Sequence, residues 1–146
     1  MFITETPEGQ APQRYEFDAK RISMSRAAML ESRFKKLSGD DQATLELIRM
    51  SAIQGGAAAQ RVILWHCKNV LHPALKIEDV DPLMGEVEVK PSAGEIEELR
   101  AAAASAPGLN DSQREMLLAS IDALGGEPEE DDGGKAPSSD SETSTG

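Results

Sequence analysis

Aromatic side chains are scarce in this sequence: Phe2, Tyr15, Phe17, Phe34 and Trp65 are all it has. Any core must rest on Leu, Ile, Val, Met and Ala, so modest stability is expected. Cysteine is nearly absent as well, and the single Cys67 excludes an internal disulfide and suits a reducing compartment. No stretch approaches the roughly 18 unbroken apolar residues of a membrane-spanning helix. The opening MFITETPEGQ lacks the basic start and apolar run of a secretory signal, so the chain is expected to stay in the cytoplasm where it is made. Positive charge is also short, with 15 Lys and Arg against 26 Asp and Glu, a net −11. Nucleic acid and anionic membrane surfaces are therefore disfavoured as partners, because Lys and Arg supply most of the affinity for both.

What is present fits one domain, since 146 residues leave little room for a second independent core. The charge is uneven. Residues 127–146, EPEEDDGGKAPSSDSETSTG, hold seven acids against Lys135, a net −6, and contain no Leu, Ile, Val, Phe, Met, Trp or Tyr. With nothing to offset its ordering entropy, this tail is expected to be disordered and to keep the protein soluble.

Two β-like pieces, Phe2 to Thr4 and Arg14 to Phe17, open the chain around the turn-rich TPEGQAPQ. They allow either a small hairpin or an extended, disordered arm. From Ser23 the apolar spacing becomes helical. Ser23 or Ser25 is the expected N-cap, Ala27, Leu30, Phe34 and Leu37 form the stripe, and Gly39 ends the helix. Asp40 or Asp41 is the expected cap of a second helix carrying Leu45, Leu47, Ile48 and Ala52 up to Gly55-Gly56. A third, from about Ala57 to Val70, is the most apolar and is the expected central core helix. Ala58, Val62, Trp65 and Asn69 share one face, and Ile63, Leu64 and Cys67 widen it.

His72-Pro73 stops that helix, because the residue before proline is pushed out of the helical region. Leu75, Ile77, Val80 and Leu83 mark a connection wrapping the core, and Val87 and Val89 alternate with charged residues as a short exposed strand or an extended linker. Ser92 and Glu95 have capping-box spacing for a fourth helix with Ile96, Leu99 and alanines 101 to 104, ending at Pro107-Gly108. A fifth starts near Asn110 to Ser112, with Leu117, Ile121 and Leu124 on one stripe up to Gly125-Gly126. The expected fold is mainly α, a small bundle of four to five helices with a short N-terminal β element and a disordered acidic C-terminal tail. Residues 1–22 form the arm or hairpin, 23–125 the helical domain and 126–146 the tail. Trp65, Val62, Leu64 and Leu75 are expected in the core.

Chemistry-bearing residues are few. His66, Cys67 and His72 are the classical transition-metal donors, and they lack the spacing of a four-ligand zinc site. Adjacent positions 66 and 67 point about 100° apart on a helix and cannot share a metal without outside ligands. Nothing supplies the third group that a Cys-His nucleophile pair needs. Glu78, Asp79, Asp81 and Glu86 lack the ladder of a calcium loop, and Gly55-Gly56 and Gly125-Gly126 lack the context of a phosphate cradle. No catalytic, cofactor-binding or metal-binding residue is assigned, and the chain reads as a non-enzyme that binds other protein chains. Its partner-binding residues are not located, since exposed and buried apolar positions look alike in a sequence.

The stretch RVILWHCKNVLHPALKIEDVDPLMGEVEV resembles the tail assembly chaperones of long-tailed bacteriophages. Trp65, Lys68, Pro73, Leu75, Ile77, Asp79, Val80, Asp81, Gly85, Val87 and Val89 carry the pattern, and the resemblance covers roughly residues 14–90. It departs at the longer, Pro- and Gly-richer first segment and at Asn69 and His72. The resemblance implies a protein of the host cytoplasm, absent from the mature virion, that coats the tape measure protein while tail tube subunits assemble around it. It also implies a longer second product made by ribosomal frameshifting; Gly134-Lys135 is expected to be encoded across a slippery run of G and A bases where the shift would occur. Self-association is left open. A structural phage component, such as a head-tail connector or minor tail protein, and a non-phage cytosolic adaptor are the alternatives.

Overall fold

Alternation at the start of the chain produces a hairpin. The computed structural model describes residues 1–126, in which β1 (Phe2–Glu5) and β2 (Gln13–Glu16) pair antiparallel across the turn at Gly9, whose φ is +75°. The alternating segment near Val87 is also a strand: β3 (Val87–Lys90) pairs antiparallel with the other edge of β1, giving the order β2-β1-β3. Ile3 lies opposite both Tyr15 and Val89, and this row faces the core with Ile3 fully buried. The expected tail over 126–146, Gly126 apart, and the Gly134-Lys135 step lie outside the described residues.

The helices form where polar caps precede apolar stripes. Helix α1 (Met24–Ser38) starts at Ser23, whose hydroxyl accepts from the Arg26 amide, and ends at Gly39 in the left-handed region. Helix α2 (Leu45–Ile53) is capped by Thr44 and not by Asp40 or Asp41. The Asp40 carboxylate accepts from the Gln42 amide two residues on, a local Asx turn that delays the helix. Helix α3 (Ala57–Leu71) is the center of the fold: Ala59, Val62, Ile63, Leu64, Trp65 and Cys67 are all buried, and α1, α2 and β2 pack against it. Nearly its whole circumference is covered, which matches its unusually apolar sequence.

After α3 the chain turns back along it through a short 3-10 turn at Ile77–Asp79. Ile77 and Val80 are buried there, whereas Leu75, expected in the core, is half-buried. Its backbone does more than its side chain, because the Leu75 carbonyl accepts from the Trp65 indole at 3.0 Å and from the Asn69 amide at 3.0 Å. Arg61 donates to the carbonyls of Val80 and Ile77 at 2.7 and 3.3 Å, satisfying a segment that has few backbone partners of its own.

Helices α4 (Ala93–Ser105) and α5 (Asp111–Ala123) form an antiparallel pair with a separate small cluster of Ile96, Ala103 and Ile121. Ser92 caps α4 by accepting from the Glu95 amide, but the expected reciprocal half of the box is not made. The Glu95 carboxylate turns instead to the Met1 amino group and to Arg49 of α2, the latter at 3.0 Å. These ion pairs, with an exposed Lys20–Glu98 pair at 3.0 Å, tie the base of α4 to the rest of the fold.

Candidate protein-binding groove

Alanines 101 to 104 give α4 a face with almost no side-chain volume, and this shapes the surface beside it. Between α2 and the α4–α5 pair runs an apolar groove of about 460 Å³. Met50 and Ile53 form one wall, Ala102 and Leu99 the floor, and Leu117 and Leu124 the far wall. Leu117 is 40% exposed and its neighbor Met116 71% exposed, so α5 presents uncovered apolar surface beside the groove. Arg100 pairs with Glu97 and, at 2.7 Å, with Asp122, locking α4 to α5 along the outer side and leaving the groove itself without charge. A row of small and aliphatic side chains between two helical walls is chemically suited to take the apolar stripe of another helix.

The residues considered for chemistry are dispersed or occupied. His66 is half-buried, meets Phe17 edge-on at 5.6 Å, and receives the Arg26 Nε–H on its Nδ1 at 3.0 Å. Burial and the nearby Arg26 charge pull its pKa down to about 4, so the ring is neutral at pH 7. Cys67 is buried, and burial pushes its thiol up to about 12, far from a nucleophilic thiolate. His72 is exposed at the end of α3. Asp79 and Glu86 accept backbone amides of Lys76 and Leu83 as local caps. Among the described residues no three His, Cys, Asp or Glu side chains are grouped as metal ligands would be. Gly55 has φ +94° and Gly56 caps α3 against Ser51, so both shape the α2–α3 turn.

Six of the residues on which the resemblance to phage chaperones was read are scaffold. Trp65 is buried, Lys68 pairs at 2.5 Å with the buried Glu5, Ile77 and Val80 cover α3, and Val87 and Val89 belong to β3. The groove lies mostly beyond that stretch, on α4 and α5. Leu117, Ile121 and Leu124 were legible as an apolar stripe, but only the packing shows Ile121 covered and Leu117 open. No family model matches the sequence, and no curated protein or solved structure shows significant similarity to it.

Proposed function

We propose that this chain is a binding protein that holds an amphipathic helical segment of a client in the groove between α2 and the α4–α5 pair. The finer reading is a tail assembly chaperone of a long-tailed bacteriophage, whose client is the tape measure protein and which acts in the host cytoplasm without entering the virion. The uncharged, largely aliphatic lining of that groove carries the reading, since apolar residues on both sides, half-buried on α2 and open at Leu117, are what a helix-in-groove interface requires. The chaperone assignment draws on the Trp65-to-Val89 resemblance, and the net charge of −11 suits a protein that must keep an aggregation-prone complex in solution.

Co-expression with the large protein encoded downstream tests both levels. Rescue of its solubility with co-elution is expected, and Ala102→Glu, which places a charge on the groove floor at an exposed helical position, should abolish rescue while leaving the fold intact. Rescue unaffected by Ala102→Glu would move the client off this groove. Failure of any rescue, together with this chain in purified virions, would replace the chaperone by a structural component.

A further inference from the structure

Two guanidinium groups lie on one indole. Arg26 and Arg33 sit 4.7 and 4.5 Å from the Trp65 ring, both projecting from α1 two turns apart. With Lys76 they line a cleft of about 440 Å³, bordered by the apolar Met29, Pro73 and Leu75. Asn69 holds its parts together: the side chain accepts from Arg26 at 2.8 Å and donates to the carbonyls of Pro73 and Leu75 at 3.2 and 3.0 Å. Arg26 donates once from each of its nitrogens, to His66, Asn69 and the Met29 sulfur, all neutral acceptors, which leaves a further N–H on each terminal nitrogen. The Nε of Arg33 is buried without a hydrogen-bond partner, and its terminal nitrogens make no hydrogen bond or ion pair among the described residues. There no carboxylate pairs with either guanidinium or with Lys76, and the single acid on the cleft wall is Glu78. Placing two like charges side by side costs free energy unless a counter-charge is supplied. Burial, and behind it the charge of Arg33, pulls the Arg26 pKa below its ordinary value. Arg49 and Lys68, partly buried like these two, have their counter-charges in Glu95 and Glu5.

We infer that this cleft is a second binding site, which takes an acidic side chain of a partner polypeptide, with the carboxylate on the Arg26, Arg33 and Lys76 cations and an adjoining apolar residue against Met29, Pro73 and Leu75. The fixed fork of a guanidinium donates to both oxygens of a carboxylate while its flat face stays on the indole, so ion pair and ring contact coexist. The free N–H groups of Arg26 and the unengaged terminal nitrogens of Arg33 are the donors for it. Two observations favor a peptide carboxylate over a polyanion. The apolar border gives the residue next to the acid a surface to cover, which a bare phosphate would leave empty. The chain's net charge of −11 repels a densely charged strand or membrane more strongly than a single carboxylate. This cleft shares no lining residue with the groove of α2, α4 and α5, and the inference does not depend on that groove or on the identity of its client.

The full-length chain tests it. Trp65 is its only tryptophan, so indole fluorescence reads the cleft directly. Titration with a short blocked peptide alternating leucine and glutamate should give a saturable change, and the same peptide with glutamine in place of glutamate none. Salt of about 1 M, where the screening length falls to about 3 Å, should weaken binding severalfold. Arg33→Gln should weaken it roughly tenfold, the scale of one hydrogen bond to a charged group. That substitution also removes a contact on Trp65, so two exposed positions give readings free of any packing change: Lys76→Gln should weaken binding and Glu78→Gln should tighten it, each severalfold. No saturable change, an equal response to the glutamine peptide, or affinity indifferent to all three substitutions would overturn the assignment. Inorganic phosphate that saturates the same change at lower concentration than the peptide would overturn it in favor of a phosphate site.

Discussion

The molecule has two apolar clusters built by the same rules and finished to different degrees. Around α3, the sheet, α1, α2 and the Ile77–Val80 segment close over bulky side chains, with Ile3, Leu30, Ile48, Val62, Ile63 and Leu64 fully buried. The α4–α5 pair buries Ile96, Ala103 and Ile121, and leaves Met116 and Leu117 uncovered. Side-chain caps start α1 and α2 in the first region and α4 and α5 in the second, so capping does not explain the difference. Side-chain volume does: α3 has Trp, Ile and Leu where α4 has a run of alanines, and buried area sets most of the stabilization. A helix pair held by so small a cluster should open at lower free energy than the center, which suits the part that must receive another chain.

Three measurements sharpen that contrast. The largest effect is expected in the center: Trp65→Ala should lower unfolding free energy by about 3 to 5 kcal/mol, because Trp65 is 2% exposed and its indole N–H holds the Leu75 carbonyl. A denaturant midpoint unchanged from the parent chain would remove Trp65 from the core assignment.

The α4–α5 pair should respond locally. Ile121→Ala is expected to cost about 2 kcal/mol, at the low end for a buried isoleucine. Amides of α5 should then exchange roughly thirtyfold faster, since each 1.4 kcal/mol is a factor of ten. Hydrogen exchange at Val62 to Cys67 should stay as in the parent; acceleration of equal size in α3 would show that the two clusters unfold as one unit.

The smallest effect concerns pH. Burial first, and the Arg26 charge second, hold His66 near 4, below its ordinary 6.5. The unfolded chain therefore binds the extra proton in that interval, so stability from this group is complete above about pH 6.5 and is lost as pH falls toward 4. Its partial exposure lets solvent screen some of the shift. Denaturant midpoints at pH 7 and 5 should differ more for the parent than for His66→Gln, and an imidazole titration near 6.5 would contradict the packing described for this ring.

Much of this architecture was readable from residue order alone. Ser23, Gly39, Ser92 and Asn110 punctuate helices through local hydrogen bonds, and local bonds depend only on neighbors in sequence. The apolar character of α3 likewise announced a central helix. The candidate groove was not readable, because the stripe Leu117, Ile121 and Leu124 has the same periodicity whether a wall covers it or not.

What the sequence determined by itself is therefore the five helices, the caps at Ser23, Ser92 and Asn110 and the mainly helical class, all consequences of short-range chemistry. The tertiary structure alone decided three things. It made Val87–Lys90, which the sequence left open between a short strand and a linker, the third strand by offering it the free edge of β1. It moved Glu95 from a cap to a bridge by bringing Arg49 and the Met1 amino group to it. It also separated covered from open apolar residues on α5 and set Arg26 and Arg33 side by side on Trp65. Each of these depends on residues distant in the chain meeting in space, and no local pattern encodes who the distant neighbor will be.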